Sequence, residues 1–117
     1  MLNAIGPFTK QQHPVPSELV YGSIIAVDAQ KSNLFTVTLA GATAKLDNPT
    51  GLAVGMSLTF VIAQDGTGGR ALTFGSNYAF GEIGTPDLTS SLSGKVDVIS
   101  AIVIATNKLV CTTLRGF

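Results

Sequence analysis

One seven-residue stretch, Gln64-Asp65-Gly66-Thr67-Gly68-Gly69-Arg70, constrains the fold more than any other part of the chain. It stands between two short apolar runs, residues 57–63 and 71–74, in which apolar residues alternate with small or polar ones. That alternation has the period of a β-strand. The glycines can supply the positive φ angles that a tight reversal needs. The segment therefore reads as a β-hairpin closed by a short glycine loop, in which Asp65 accepts from loop amides and Arg70 pairs with Asp65 or with a backbone carbonyl. Asp65, Gly66, Gly68, Gly69 and Arg70 are its structural residues. A phosphate-cradling loop is excluded: the Gly-x-x-x-x-Gly-Lys pattern is missing, and no helix follows to aim amides at an anion.

The rest of the chain also reads as β. Residues 19–28 are rich in Val, Ile and Tyr, and residues 34–39 place Phe35, Val37 and Leu39 on one face with Thr36 and Thr38 on the other. Asp47-Asn48-Pro49-Thr50-Gly51 is a turn signal. After Phe74 the chain becomes irregular and glycine-rich, with Tyr78, Phe80 and Ile83 expected to anchor it on the core, and residues 88–94 are a turn-like, Ser/Thr-rich link. A long strand spans 95–105, and 109–114 turns back along it. Strand-like runs with turns between them and no helical period predict an all-β fold, an antiparallel sandwich or barrel. No repeat of a solenoid or propeller is visible. Residues 1–18 carry Pro7, Pro14 and Pro16 and are expected to form an extended arm. Leu2, Ile5, Phe8 and Val15 would be its contact residues on a neighbouring subunit. Residues 19–117 are then expected to form a single β domain.

Charge narrows the partners. Only 12% of residues are charged, and seven basic residues cancel seven acidic ones. No basic patch could neutralise a run of phosphates, so nucleic acid is not expected as a partner. No apolar run is long enough to span a membrane as a helix, and the N-terminus does not resemble a secretory signal. A mean hydropathy of +0.41 with so few charges implies extensive surface buried against other chains. Cys111 is the single cysteine, so it forms no internal disulfide and reads as a small buried hydrophobe.

Gln64 to Arg70, Leu72-Thr73-Phe74, Tyr78-Ala79-Phe80, Thr85-Pro86, Leu88-Thr89-Ser90 and Lys95-Val96-Asp97-Val98-Ile99 follow one another in fixed order. In that order they resemble a module of tailed-bacteriophage virion proteins, over roughly residues 57–114. The module often ends in an aromatic-rich strand pair. Here Ile102-Val103-Ile104-Ala105-Thr106-Asn107-Lys108-Leu109 takes its place and the chain has no tryptophan, so sugar stacking at this end does not carry over. The resemblance implies a virion component, assembled in the host cytoplasm.

No catalytic constellation is legible. His13, the lone histidine, lies in the proline arm without a nearby nucleophile. Asp47, Asp65, Glu82, Asp87 and Asp97 each sit at turns or strand starts, where structural roles explain them. No metal-ligand pattern is present. The expectation is a non-enzymatic protein without metal or cofactor. The first reading is a capsid decoration, or cement, protein that binds the major capsid protein or other virion proteins. It would be a homo-oligomer, with a trimer favoured, because permanent assemblies bury large apolar interfaces and the short chain lacks shaft repeats. The alternative is a tail-fibre, head-fibre or tail adaptor protein in host-surface recognition, with Tyr78, Phe80 and polar loops as contacts.

Overall fold

The computed structural model describes residues 14–117. Among the described residues nine strands follow in chain order: β1 (Ser17–Glu18), β2 (Ile24–Ile25), β3 (Leu34–Leu39), β4 (Thr43–Leu46), β5 (Ser57–Gln64), β6 (Ala71–Phe74), β7 (Tyr78–Ala79), β8 (Val96–Ala105) and β9 (Lys108–Leu114). Two single-turn 3-10 helices, Gly81–Ile83 and Leu88–Ser90, interrupt them. The fold is all-β.

The strands form a six-stranded sheet in the order β1-β3-β5-β8-β9-β7 and a three-stranded sheet in the order β2-β4-β6. The antiparallel expectation holds only for β5 with β8 and β8 with β9. The remaining pairs, β1–β3, β3–β5, β2–β4, β4–β6 and β7–β9, are parallel. The reason lies in the path of the chain. On three successive passes one strand joins the large sheet and the next joins the small one: β1 then β2, β3 then β4, β5 then β6. Each pass stacks on the one before, as coils of a β-solenoid do. Ser17, Phe35 and Phe60 fall in register in one sheet, as do Ile25, Leu46 and Phe74 in the other. The sequence shows no repeat because each coil closes through a loop of different length.

The glycine loop is consequently not a hairpin. It carries the chain out of the large sheet at Gln64 and into the small one at Ala71. Residues 19–28, read as β from their Val, Ile and Tyr content, contribute only β2 and an isolated bridge from Asp28 to Thr50. Ser17 and Glu18, assigned to the arm, pair with β3.

Alternation places the inward residues of both sheets in one core, including Phe35, Phe60, Ile25, Leu46 and Ile99, each at most 1% exposed. Phe35 and Phe60, register partners on β3 and β5, stack at 5.4 Å. The series continues through Tyr78 and Phe74 to Phe80 with edge-on contacts of 4.9 to 5.9 Å. Phe74 belongs to the small sheet, so aromatic packing ties the two sheets together at an energy beyond its area alone.

Candidate functional site

The loop after β5 is held by its own first two residues. Gln64, 3% exposed, turns its amide back on Arg70: Oε1 accepts from the Arg70 N–H at 2.8 Å, and Nε2 donates to the Arg70 carbonyl at 3.1 Å. The same Nε2 donates to the Leu88 carbonyl. Asp65 accepts from the amides of Thr67 and Gly68 through Oδ1, and its carboxylate takes a forked pair from Arg70 Nε and Nη2 at 3.2 and 3.0 Å. The guanidinium, helped by the two amides, holds the Asp65 carboxyl below its ordinary value. Gly68 and Gly69 have φ of 72° and 66°. A Cβ on Gly68 would also strike the backbone of Leu92 and Ser93 at 2.9 Å. Gly66 has neither constraint.

This loop rests on residues 88–95, through Gly69 N–H to the Ser91 carbonyl and Gly94 N–H to the Asp65 carbonyl. Asp87 begins that segment by capping its 3-10 turn, accepting from the Thr89 hydroxyl and amide, which lower its carboxyl. Ser91 in turn donates to Asp97 Oδ2 at 2.7 Å. Asp97 is fully buried, and its Oδ1 accepts from Arg115 Nε at 3.0 Å and from the Gly116 amide at 2.9 Å. Arg115 Nη2 also donates to the Asp87 carbonyl and to Ser90 and Ser91. The separate segments of the sequence pattern thus meet in space as one clamp.

Sequence reasoning placed Asp97 at a turn or edge. It is instead the buried carboxylate of an ion pair with Arg115, a residue that reasoning did not single out. The signal was present: Asp97 shares the inward phase of Ile99, Ala101 and Val103. A carboxylate at such a position requires a cation, and Arg115 follows just after the returning strand.

Other expected contacts fall elsewhere. Tyr78 is 7% exposed and donates its hydroxyl to the Asp47 carbonyl, and burial raises its phenol above the ordinary value. Phe80 is 9% exposed within the aromatic series. Neither is a free surface platform, because the irregular segment they anchor has nothing else to bury. Cys111 is buried, which pushes its thiol up to about 11. Leu2, Ile5, Phe8 and His13 lie outside the described residues, while Val15 lies inside and is exposed. Among the described residues no three His, Cys, Asp or Glu side chains converge as metal ligands, and no helix is long and apolar enough to cross a membrane.

Two surfaces remain. One is a cleft of about 510 Å³ beside the 3-10 turns, walled by Phe80, Ile83 and Pro86 and edged by Asp87, Thr112, Thr113 and Arg115. The other is the outer face of the six-stranded sheet. Its four longest strands present Leu34, Thr36 and Thr38; Ser57, Thr59, Val61 and Ala63; Val96, Val98, Ser100, Ile102 and Ile104; and Val110, Thr112 and Leu114. None of these is charged. Charge enters at the rim, at Glu18 on β1 and at Lys108 beside the β8–β9 turn. A water-facing sheet ordinarily carries polar and charged side chains on its open side.

Residues 22–104 match the model of a family described as "Putative phage tail fibre C-terminal domain". The chain belongs to this family, and so to the structural proteins of the phage particle. No curated protein and no solved structure matches it.

Proposed function

We propose that this chain is a tail-fibre domain that takes part in host-surface recognition as a homo-oligomer, with a trimer favoured. The family match over residues 22–104 carries this reading. The sequence's first expectation, a decoration protein on the capsid, shares the same physical basis in low charge and high hydropathy, but the family match favours the tail. The loops around the Phe80–Pro86 cleft supply an irregular surface of the kind recognition uses. The residues that precede β1 serve as an arm to neighbouring virion proteins. The loop residues Asp65, Gly68, Gly69 and Arg70 act structurally, by holding that surface in place, and Gly66 has no such role.

The test is location and copy number in purified particles. Gold-labelled antibody against the chain is expected at the tail fibres by electron microscopy, with a few to dozens of copies per particle by quantitative gel densitometry. Label spread over the head, with copies in proportion to the shell protein, would overturn the tail reading in favour of decoration.

A further inference from the structure

We infer that copies of this chain meet through the outer face of the six-stranded sheet, around Ile102 and Val110. The inference rests on the homo-oligomer reading and names the surface it uses. Ile102 and Val110 are register partners on β8 and β9, and are 55% and 45% exposed. Ile104 and Leu114 extend the same patch at 50% and 59%.

Three observations identify a second copy as the occupant. First, the outward residues of β3, β5 and β8 and those of β9 from Val110 on are uncharged, with Lys108 only at the rim. A charged partner would find no complement there, whereas an identical neutral face meets no repulsion. Second, the size is sufficient. Strands rising about 3.3 Å per residue and lying about 4.8 Å apart give four strands of this length roughly 500 Å² a side. Two such faces bury roughly 1,000 Å², at the threshold for a specific interface. Third, the edges of this sheet do not invite strand addition. Both edge strands, β1 and β7, are two residues long, so partners are directed to the face. Val, Ile and Thr on a pleated surface also suit the sheet-on-sheet packing that such an interface would have.

The experiment combines mass and accessibility. Light scattering at roughly 50 µM chain is expected to give two or three chains for the wild type and one for Ile102→Lys/Val110→Lys. The control Ile24→Lys, at an exposed apolar residue on the three-stranded sheet, should keep the wild-type mass. A second readout is independent of whether the lysine variants fold. Ser100→Cys is expected to react with maleimide at least about tenfold more slowly than Ile24→Cys, and equally fast after dilution to monomer. An oligomer that survives the double substitution, or equal labelling in the oligomer, overturns the face while leaving oligomerisation intact. A monomeric wild type overturns both; if Ser100→Cys is then still protected, the chain's own residues 1–13 cover the face.

Discussion

Replacing Arg115 with methionine tests how the clamp is held, because the change keeps the apolar stem and removes only the guanidinium. The substitution leaves the Asp97 carboxylate, which is 0% exposed, with two donors, the Ser91 hydroxyl and the Gly116 amide. Breaking a fully buried pair by removing one partner costs about 3–5 kcal/mol. The Arg115 side chain is 33% exposed, so water can partly replace its nitrogens and the cost falls below that of a fully buried pair. We expect a loss of about 2–3 kcal/mol, which for a domain of this size lowers Tm by roughly 10 °C or more. Urea unfolding followed by far-UV circular dichroism measures it, at fixed chain concentration because association adds stability by mass action. Asp97→Asn removes the charge that Arg115 serves. The double variant Asp97→Asn/Arg115→Met should therefore lose less than the sum of the singles, by about 1 kcal/mol or more. A loss for Arg115→Met below about 0.5 kcal/mol, the size of an exposed ion pair, would refute the buried-pair reasoning. Additive singles would do the same.

Two further outcomes follow from the glycine loop. Gly68→Ala is expected to cost roughly 3 kcal/mol in urea unfolding, from left-handed strain plus the clash with Leu92 and Ser93, while Gly66→Ala should stay within about 0.5 kcal/mol; equal effects would show that the loop does not dock as described. The lowered carboxyls of Asp65 and Asp87 stabilise the folded state fully above the ordinary value of 3.8, and that contribution is lost as pH falls through their lowered values. Thermal melts should therefore steepen in pH dependence below 3.8, with a shallower acid slope in Arg70→Met; an unchanged slope in that variant would mean Arg70 does not hold Asp65.

Much of the local structure was legible in the residues. Alternation in residues 34–39 assigned Phe35, Val37 and Leu39 to the inner face, where they lie buried. The pairing of Asp65 with Arg70 followed from loop chemistry. Topology was less legible. A glycine loop between two strand-like runs supports a hairpin equally well as a crossover, because the positive φ angles needed to turn the chain are similar and only the partners of the flanking strands differ. Those partners, β3 and β8 for β5 and β4 for β6, lie far along the chain. The clamp was missed for a related reason. Arg115 lies eighteen residues from Asp97 and shares no local pattern with it. Tyr78 and Phe80 were legible as anchors of the irregular loop on the core, and the aromatic series draws both inward, while Ile83, read the same way, stays exposed.

The sequence by itself determined that this chain is all-β, poor in charge and turned by glycines and prolines, because alternation, backbone freedom and titratable content are properties of neighbouring residues. The tertiary structure decided which strands run parallel, which residues close the clamp and which sheet face stays open. Those depend on loops of unequal length that bring distant strands into register, and no local period records where such a loop will land.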